Sequence, residues 1–309
     1  MQNECRLSII TINYNGLKDT CDLIDSIPFK EDMEVIVVDN ASKKDEAIII
    51  SERYPQVKVI RSYKNLGFAG GNNLGIKEAK GKYIFLINND TLFKDFNIDN
   101  LIKRLESSSK IGIVCPKLRF AWGNNPIQFA GYTPLSGITF RNKAIGFGEE
   151  DKGQYEIAHP TPYAHGAAML IKQEAIKKVG LMPESFFLYY EEIDWSMMFT
   201  RTGYEIWYDP SCTVYHKESQ TTGQNSPLRT YYITRNRLLL VKRNYKGIKK
   251  YLSYIYLIGI VATRDIIKFT LQGKFGLVKA VCRGIINFQQ SARACSLATD
   301  GTQEISIVN

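Results

Sequence analysis

Apolar and polar positions along the first hundred residues fall into blocks of two kinds. Short runs rich in β-branched residues, Leu7–Asn13, Glu34–Val38, Val57–Arg61 and Lys82–Ile87, predict strands. The longer stretches between them, Leu17–Ile27, Lys43–Tyr54 and Gly70–Lys80, predict helices. Strands alternating with helices predict an α/β fold around a mainly parallel central sheet. Ligands of such sheets bind beyond the carboxyl ends of the strands. Polar clusters fall at those ends: Asn13-Tyr14-Asn15, Asp39-Asn40 and Asn88-Asn89-Asp90.

From about Ile111 to Ala168, Gly, Pro and aromatic residues interrupt short extended runs, which predicts a looser β-rich region. Gln173–Val179 and Ile193–Thr202 read as helices, Glu205–Tyr208 and Thr213–Tyr215 as extended segments. Beyond Ser226 the pattern is helical to about Gln290, and Ser291–Asn309 reads as a frayed tail. The division expected is a catalytic domain over 1–225, with a nucleotide-binding half (1–110) and an acceptor half (111–225). A helical C-terminal region (226–290) and the tail (291–309) follow it.

The net charge of +9 sharpens this division. Arg229 to Arg293 holds fourteen Lys/Arg against one acid, Asp265, so the remainder of the chain is net acidic. A basic nucleic-acid-binding face in the catalytic part is therefore excluded. The most apolar C-terminal stretch, Leu252–Thr263, is bracketed by Lys249, Lys250 and Arg264 and falls short of the roughly 20 residues of a spanning helix. It reads as an interfacial helix on an anionic membrane surface, with a core helix as the alternative. The N-terminus lacks a signal-peptide pattern. The six cysteines are widely spread without CxxC spacing, which predicts reduced thiols and a cytoplasmic location.

Four clusters carry candidate chemistry. Asp90, after the fourth strand, is placed to hold Mg²⁺ or Mn²⁺ against a diphosphate; the plain reading of Asn88-Asn89-Asp90 is a turn. Asp39 suits the N3–H of a pyrimidine base, or else caps the following helix. The stretch Asn65-Leu-Gly-Phe-Ala-Gly-Gly-Asn-Asn73 offers glycines for close backbone approach to a ligand. Tyr189-Tyr-Glu-Glu-Ile-Asp-Trp195 sets three carboxylates beside aromatic residues, which desolvate an acid and suit it to general-base work; helix-dipole compensation explains only part of that set. His216, one of three histidines with His159 and His165, is either structural or a partner for Asp90.

Together these residues resemble glycosyltransferase family 2, the inverting enzymes of the GT-A fold, whose nucleotide-binding part is Rossmann-like. The branch with the nearest pattern is that of bacterial rhamnosyltransferases and related hexosyl transferases. The resemblance runs from Leu7 to about Tyr245. It rests on Ser8-Ile-Ile-Thr-Ile-Asn-Tyr-Asn15, Val37-Val-Asp-Asn-Ala-Ser42, the glycine stretch, Asn88-Asn-Asp90, Glu191-Glu-Ile-Asp194 and Arg229-Thr-Tyr-Tyr-Ile-Thr-Arg-Asn236. It implies nucleotide contacts from Thr11, Asn13, Tyr14, Asp39, Asn65, Gly67, Gly71, Asn72, Asn88 and Asn89. It implies a divalent metal at Asp90 and His216, a base at Glu192 with Glu191 and Asp194 beside it, and acceptor contacts from His165, Gly166, Ala167 and Trp195. The implied partners are a nucleotide-sugar donor, dTDP-rhamnose or a UDP-sugar, and a glycan or lipid-linked acceptor at the inner face of the cell membrane. Asn88 stands where many relatives carry Asp, and the QxxRW motif of processive synthases is absent. An impaired scaffold of the same fold and a sugar-1-phosphate nucleotidyltransferase are the rival readings. The second lacks the arginine-rich phosphate loop it needs after the first strand.

Overall fold

The computed structural model describes residues 5–218, 226–294 and 305–308. Parallel strands β1 (Leu7–Asn13), β2 (Met33–Asn40), β3 (Lys58–Ser62) and β4 (Tyr83–Ile87) form the first half, in the order β3-β2-β1-β4. Helices α1 (Leu17–Asp25), α2 (Glu46–Arg53) and α3 (Gly67–Glu78) connect them. A two-residue strand β5 (Thr91–Leu92) and helix α4 (Ile98–Glu106) lead into β6 (Ile111–Phe120), β7 (Ile127–Phe129), β8 (His159–Pro160) and β9 (Ala168–Lys172). After α5 (Gln173–Val179) and α6 (Glu191–Arg201) comes β10 (Glu205–His216). The sheet continues β4-β9-β6-β10-β5, with β9 antiparallel to both neighbours and β6 parallel to β10. The expected α/β class with a largely parallel centre is the one observed. β4 is apolar throughout and β1 is buried along nearly its whole length, because both faces of the sheet are covered.

Several expectations change. The stretch from Ile111 is not loose at its start: β6 is a buried central strand, and Pro116 stands opposite Asp209, where the β10 register jumps to Thr213. That irregularity is why the two extended segments before His216 look separate in sequence, although they are one strand. Helix α3 begins at Gly67 rather than Gly70, and α6 begins at Glu191, so the acidic motif lies inside the first turn.

The C-terminal region is helical, as read. α7 (Pro227–Asn244) starts on Ser226, whose hydroxyl accepts from the Arg229 N–H, with Pro227 in the first turn. α8 (Gly247–Tyr254) runs through a π-helical stretch (Ile255–Ala262) into α9 (Thr263–Leu271), and α10 (Phe275–Ala294) packs back along α7. A second apolar cluster joins Leu238, Leu240, Leu257, Val261 and Phe288 of these helices to Phe186 and Ile193 of the catalytic part. Leu252–Thr263 is core on one side, with Leu257 and Val261 buried, and open on the other, with Ile255 and Ile260 exposed. The tail reading is corrected at both ends: α10 continues to Ala294, and β11 (Ile305–Val308) pairs antiparallel with β3. Residues 295–304 lie outside the described residues. Cys5, Cys21, Cys115, Cys212 and Cys282 are free thiols.

Candidate active site

The strand ends meet in a cleft whose first wall is a polar hub. Asn13 Nδ2 donates to Asp39 Oδ1 (2.8 Å), Glu46 Oε2 (2.8 Å) and Ser42 Oγ (3.1 Å), and Asn13 Oδ1 accepts from Thr20 Oγ1 (2.8 Å). Glu46 also accepts from the Gly16 N–H. Asn13 is thus spent on positioning Asp39 rather than left to meet a nucleotide. Thr11 lies within the strand, fully buried with its hydroxyl unpartnered, and does not reach the cleft. Tyr14 is exposed at the rim.

The glycine stretch serves packing. Gly67 has φ +70°, and a Cβ there would run into the Phe187 carbonyl. Gly71 and Gly75 bring α3 against Ile12 and Ile10 of β1, where a Cβ would collide. Asn65 Oδ1 accepts from Gly67 N–H (2.9 Å) and Asn40 Nδ2 (3.2 Å), and Asn72 bonds back to the Phe68 carbonyl. The expected close approach of backbone to a ligand is here a close approach of helix to sheet.

At the end of β4 the Asn88 N–H donates to the Ala167 carbonyl (2.9 Å), which joins this turn to the 165–167 loop. Asn89 Nδ2 turns toward α1 and donates to Thr20 Oγ1 (3.0 Å). Asp90 Oδ1 lies 3.0 Å from His216 Nε2, and His216 Nδ1 lies 2.9 Å from Gln128 Oε1. In the tautomer that donates Nδ1–H to the Gln128 amide oxygen, the Nε2 lone pair and the Asp90 carboxylate converge as two acceptors. A cation between them relieves that opposition, and an outer hydrogen bond of this kind fixes the tautomer of a metal-binding histidine. One carboxylate and one imidazole fit a hard cation that takes its other ligands from phosphate and water. Among the described residues, no group of three or more His, Cys, Asp and Glu is placed to hold a metal by itself. Gln128 escaped the sequence reading; its only signal is a polar residue between Ile127 and Phe129.

The three acids of α6 have different fates. Asp194, wholly buried, accepts from Arg243 Nε (3.0 Å) and Asn244 Nδ2 (2.5 Å). Glu191 is buried, and its carboxyl is raised well above the usual range by burial, then by the charge of Glu192; its Oε2 has no partner. Glu192 is partly exposed, and burial lifts it to about 7 against backbone N–H groups that favour its charge. Gly166 keeps its side open: a Cβ there would touch Glu192 Cγ (3.8 Å) and Phe68 Cζ (3.7 Å). Trp195 is a correction: fully buried, edge-on to Phe199, with Nε1 donating to the Gly180 carbonyl (2.9 Å), it belongs to the core and meets no acceptor.

His165 stacks on Tyr132 (5.8 Å, 4°) and accepts the Ala167 N–H at Nδ1 (3.1 Å), so the neutral ring carries its proton on Nε2. Burial, then the proximity of His216, holds its pKa down to about 3. Tyr132, absent from the sequence reading, feels the charge of Glu192, so Glu192, the loop and this aromatic pair share one corner.

Comparison with known proteins shows the family and the fold. The family model described as "Glycosyl transferase family 2" matches residues 8–180. The low-salt glycan biosynthesis hexosyltransferase Agl10 of Haloferax volcanii is 29% identical over 238 residues, covering 75% of this chain and 74% of its own. The N-acetylglucosaminyl-diphospho-decaprenol L-rhamnosyltransferase of Mycobacterium tuberculosis is 23% identical over 221 residues, covering 65% and 71%. The crystal structure of GalNAc-T7 with UDP, GalNAc and Mn²⁺ superposes with a TM-score of 0.65 at 16% identity, over 96% of this chain and 58% of that one. Staphylococcus aureus TarS 1-349 in complex with UDP-GlcNAc gives 0.57 at 16% identity, over 93% and 81%.

Proposed function

Since the chain belongs to glycosyl transferase family 2, we propose that it moves one sugar, with inversion, from a nucleotide-sugar donor to a hydroxyl of a glycan or lipid-linked acceptor. The observation that carries this reading is the sorting of the α6 acids. Asp194 is neutralised by Arg243 and Asn244, Glu191 is sealed in, and Glu192 alone stays reachable with its pKa near neutrality. A base poised near the working pH is what abstraction of a hydroxyl proton requires.

In the displacement the acceptor oxygen bonds to the anomeric carbon while the bond from that carbon to the diphosphate oxygen breaks. The hydroxyl proton passes to a Glu192 carboxylate oxygen, and the electron pair leaves with the nucleoside diphosphate. Asp90 and His216 would hold a Mg²⁺ or Mn²⁺, which when bound offsets charge on the departing diphosphate. In this reading Asp39, fixed by Asn13, receives the base of the nucleotide, and the Nε2–H of His165 meets a sugar or acceptor oxygen. The donor proposed is dTDP-rhamnose, then a UDP-hexose; a rhamnosyltransferase and a hexosyltransferase both stand among the relatives.

A lipid-linked acceptor is supported by the C-terminal helices. Ile248, Tyr251 and Ile255 follow one face of α8 at helical spacing and are 70, 64 and 64% exposed, with Lys249 and Lys250 beside them. Among the described residues no helix is long and apolar enough to cross a membrane. The reading is a peripheral enzyme lying on the anionic inner face of the cell membrane. Transfer and donor hydrolysis measured over a nucleotide-sugar panel, with and without divalent metal, test the reaction. No turnover of any donor by the wild type, or undiminished turnover by Glu192→Gln, would overturn it.

A further inference from the structure

The loop that delivers Glu192 is strained and held from outside. Phe187, Tyr189 and Tyr190 have φ of +67°, +70° and +75°, a region non-glycine residues occupy at a cost. Three such residues within four positions do not persist without an external restraint. The restraint is one side chain of α7. Asn236, fully buried, directs Nδ2 at three carbonyls: Phe186 (2.9 Å), Leu188 (2.7 Å) and Tyr189 (2.8 Å). Its orientation is dictated by chemistry, because carbonyls only accept and the Arg235 guanidinium only donates: Arg235 Nε bonds Asn236 Oδ1 (2.8 Å). Arg235 also spans to the Ser185 (3.0 Å) and Phe186 (2.5 Å) carbonyls.

The carbonyls of Leu188 and Tyr189 belong to the same peptide planes as the N–H groups of Tyr189 and Tyr190. Backbone hydrogen bonding at Tyr189 favours the charged form of Glu191, and that at Tyr190 the charged form of Glu192. A side chain that fixes one end of a peptide plane fixes the other, and a hydrogen bond to the carbonyl polarises the N–H opposite it. We propose that Asn236, oriented by Arg235, is a positioning residue for the base: it holds two peptide planes in left-handed geometry so that their N–H groups cradle the acidic pair and aim Glu192 at the acceptor hydroxyl. This rests on Glu192 being the base. It also gives a task to the Arg229–Asn236 segment, which lies outside the 8–180 span of the family model.

The test is the pH profile of kcat for Asn236→Ala, with Glu192→Gln as the reference. A carboxylate that loses an N–H donor is harder to ionise, so the acid limb of the Asn236→Ala profile moves to higher pH by about half a unit or more. In the same variant kcat at neutral pH falls at least about tenfold, while KM for the donor stays within about twofold. Adding Tyr189→Gly, which adopts positive φ without restraint, recovers part of the lost kcat. If Asn236→Ala does not fold, Arg235→Gln leaves Asn236 in place without its orienting donor, and the same shift is expected at smaller size. An unmoved acid limb, with kcat lost only in proportion to melting temperature, overturns the proposal. If Glu192→Gln retains full turnover, the base assignment fails instead, and the two failures are distinguishable.

Discussion

Asp90 and His216 are 126 residues apart in the chain, yet the antiparallel pairing of β5 with β10 sets His216 opposite Thr91 and brings its Nε2 to 3.0 Å from the Asp90 carboxylate. The third partner, Gln128, completes a line from amide to imidazole to carboxylate. If this line is a cation site, its two ends lose different things. Asp90→Ala removes the charge and abolishes transfer. Gln128→Ala leaves both ligands but frees the imidazole tautomer, and Mn²⁺ affinity read by electron paramagnetic resonance in the presence of nucleoside diphosphate drops about 10- to 100-fold. Asn88→Ala leaves part of the activity, because the Asn88 backbone N–H, rather than its amide, ties the turn to Ala167. Full turnover in excess chelator contradicts the site.

Glu192 makes activity and stability run in opposite directions with pH. Its folded-state pKa of about 7 lies above the ordinary glutamate value of 4.5, so the native state binds more protons than the unfolded chain between those values. Stability therefore falls as pH rises through that window, while the ionised, competent base accumulates. Transfer should climb about tenfold per pH unit below 7 and level off above it. Glu192→Gln should lose at least ~100-fold in kcat and gain melting temperature at pH 8, where the wild type carries a partly desolvated charge. A mutant that is slow but no more stable there indicates that Glu192 is not desolvated.

The strand-and-helix alternation was legible because β1 to β4 each hold a short run of β-branched and apolar residues, and β1, β2 and β4 end in polar clusters. The acidic motif was legible because three carboxylates beside aromatics have no simple structural reason. What the sequence concealed is direction. Whether Asn13 or Asn65 faces a ligand or its neighbours depends on where Glu46 and Gly67 come to lie, and Trp195 points inward with Phe199 on the same face of α6, its Nε1 bonded to the Gly180 carbonyl. Gln128, Tyr132 and Asn236 carry no local pattern. Each acquires its role from a partner at least 30 residues away.

The Gly67 position should tolerate no side chain. A residue with a Cβ pays about 1 to 2 kcal/mol for the left-handed backbone alone, and its Cβ overlaps the Phe187 carbonyl. That carbonyl accepts from Phe68 N–H at 2.6 Å, so it cannot retreat without losing the bond that ties α3 to the 184–190 loop. Gly67→Ala is expected to lower both melting temperature and kcat, because the loop it displaces is the one carrying Glu192. Gly137→Ala, where nothing lies within 4 Å of the new Cβ, serves as the neutral control. Equal behaviour of the two variants dismisses the packing argument.

The last prediction separates two causes of membrane attachment. The charge of the C-terminal region gives a long-range attraction that salt screens, with a Debye length of about 8 Å at physiological ionic strength. The exposed side chains Ile248, Tyr251 and Ile255 give a short-range term that salt does not weaken, set by the apolar area they bury in the interface. Both are required if the helices lie in the headgroup region, since neither a few lysines nor three side chains alone suffices for stable binding. In flotation with vesicles containing anionic lipid, Lys249→Glu with Lys250→Glu should shrink the difference between anionic and neutral vesicles. Ile248→Ser with Ile255→Ser should weaken binding to both while leaving the salt dependence intact. These four positions lie outside the catalytic cleft, so turnover of a water-soluble acceptor analogue should be unchanged, and only turnover of a vesicle-embedded acceptor should fall. If the serine variant floats as the wild type does, the apolar face is not what meets the lipid, and the attachment is electrostatic alone.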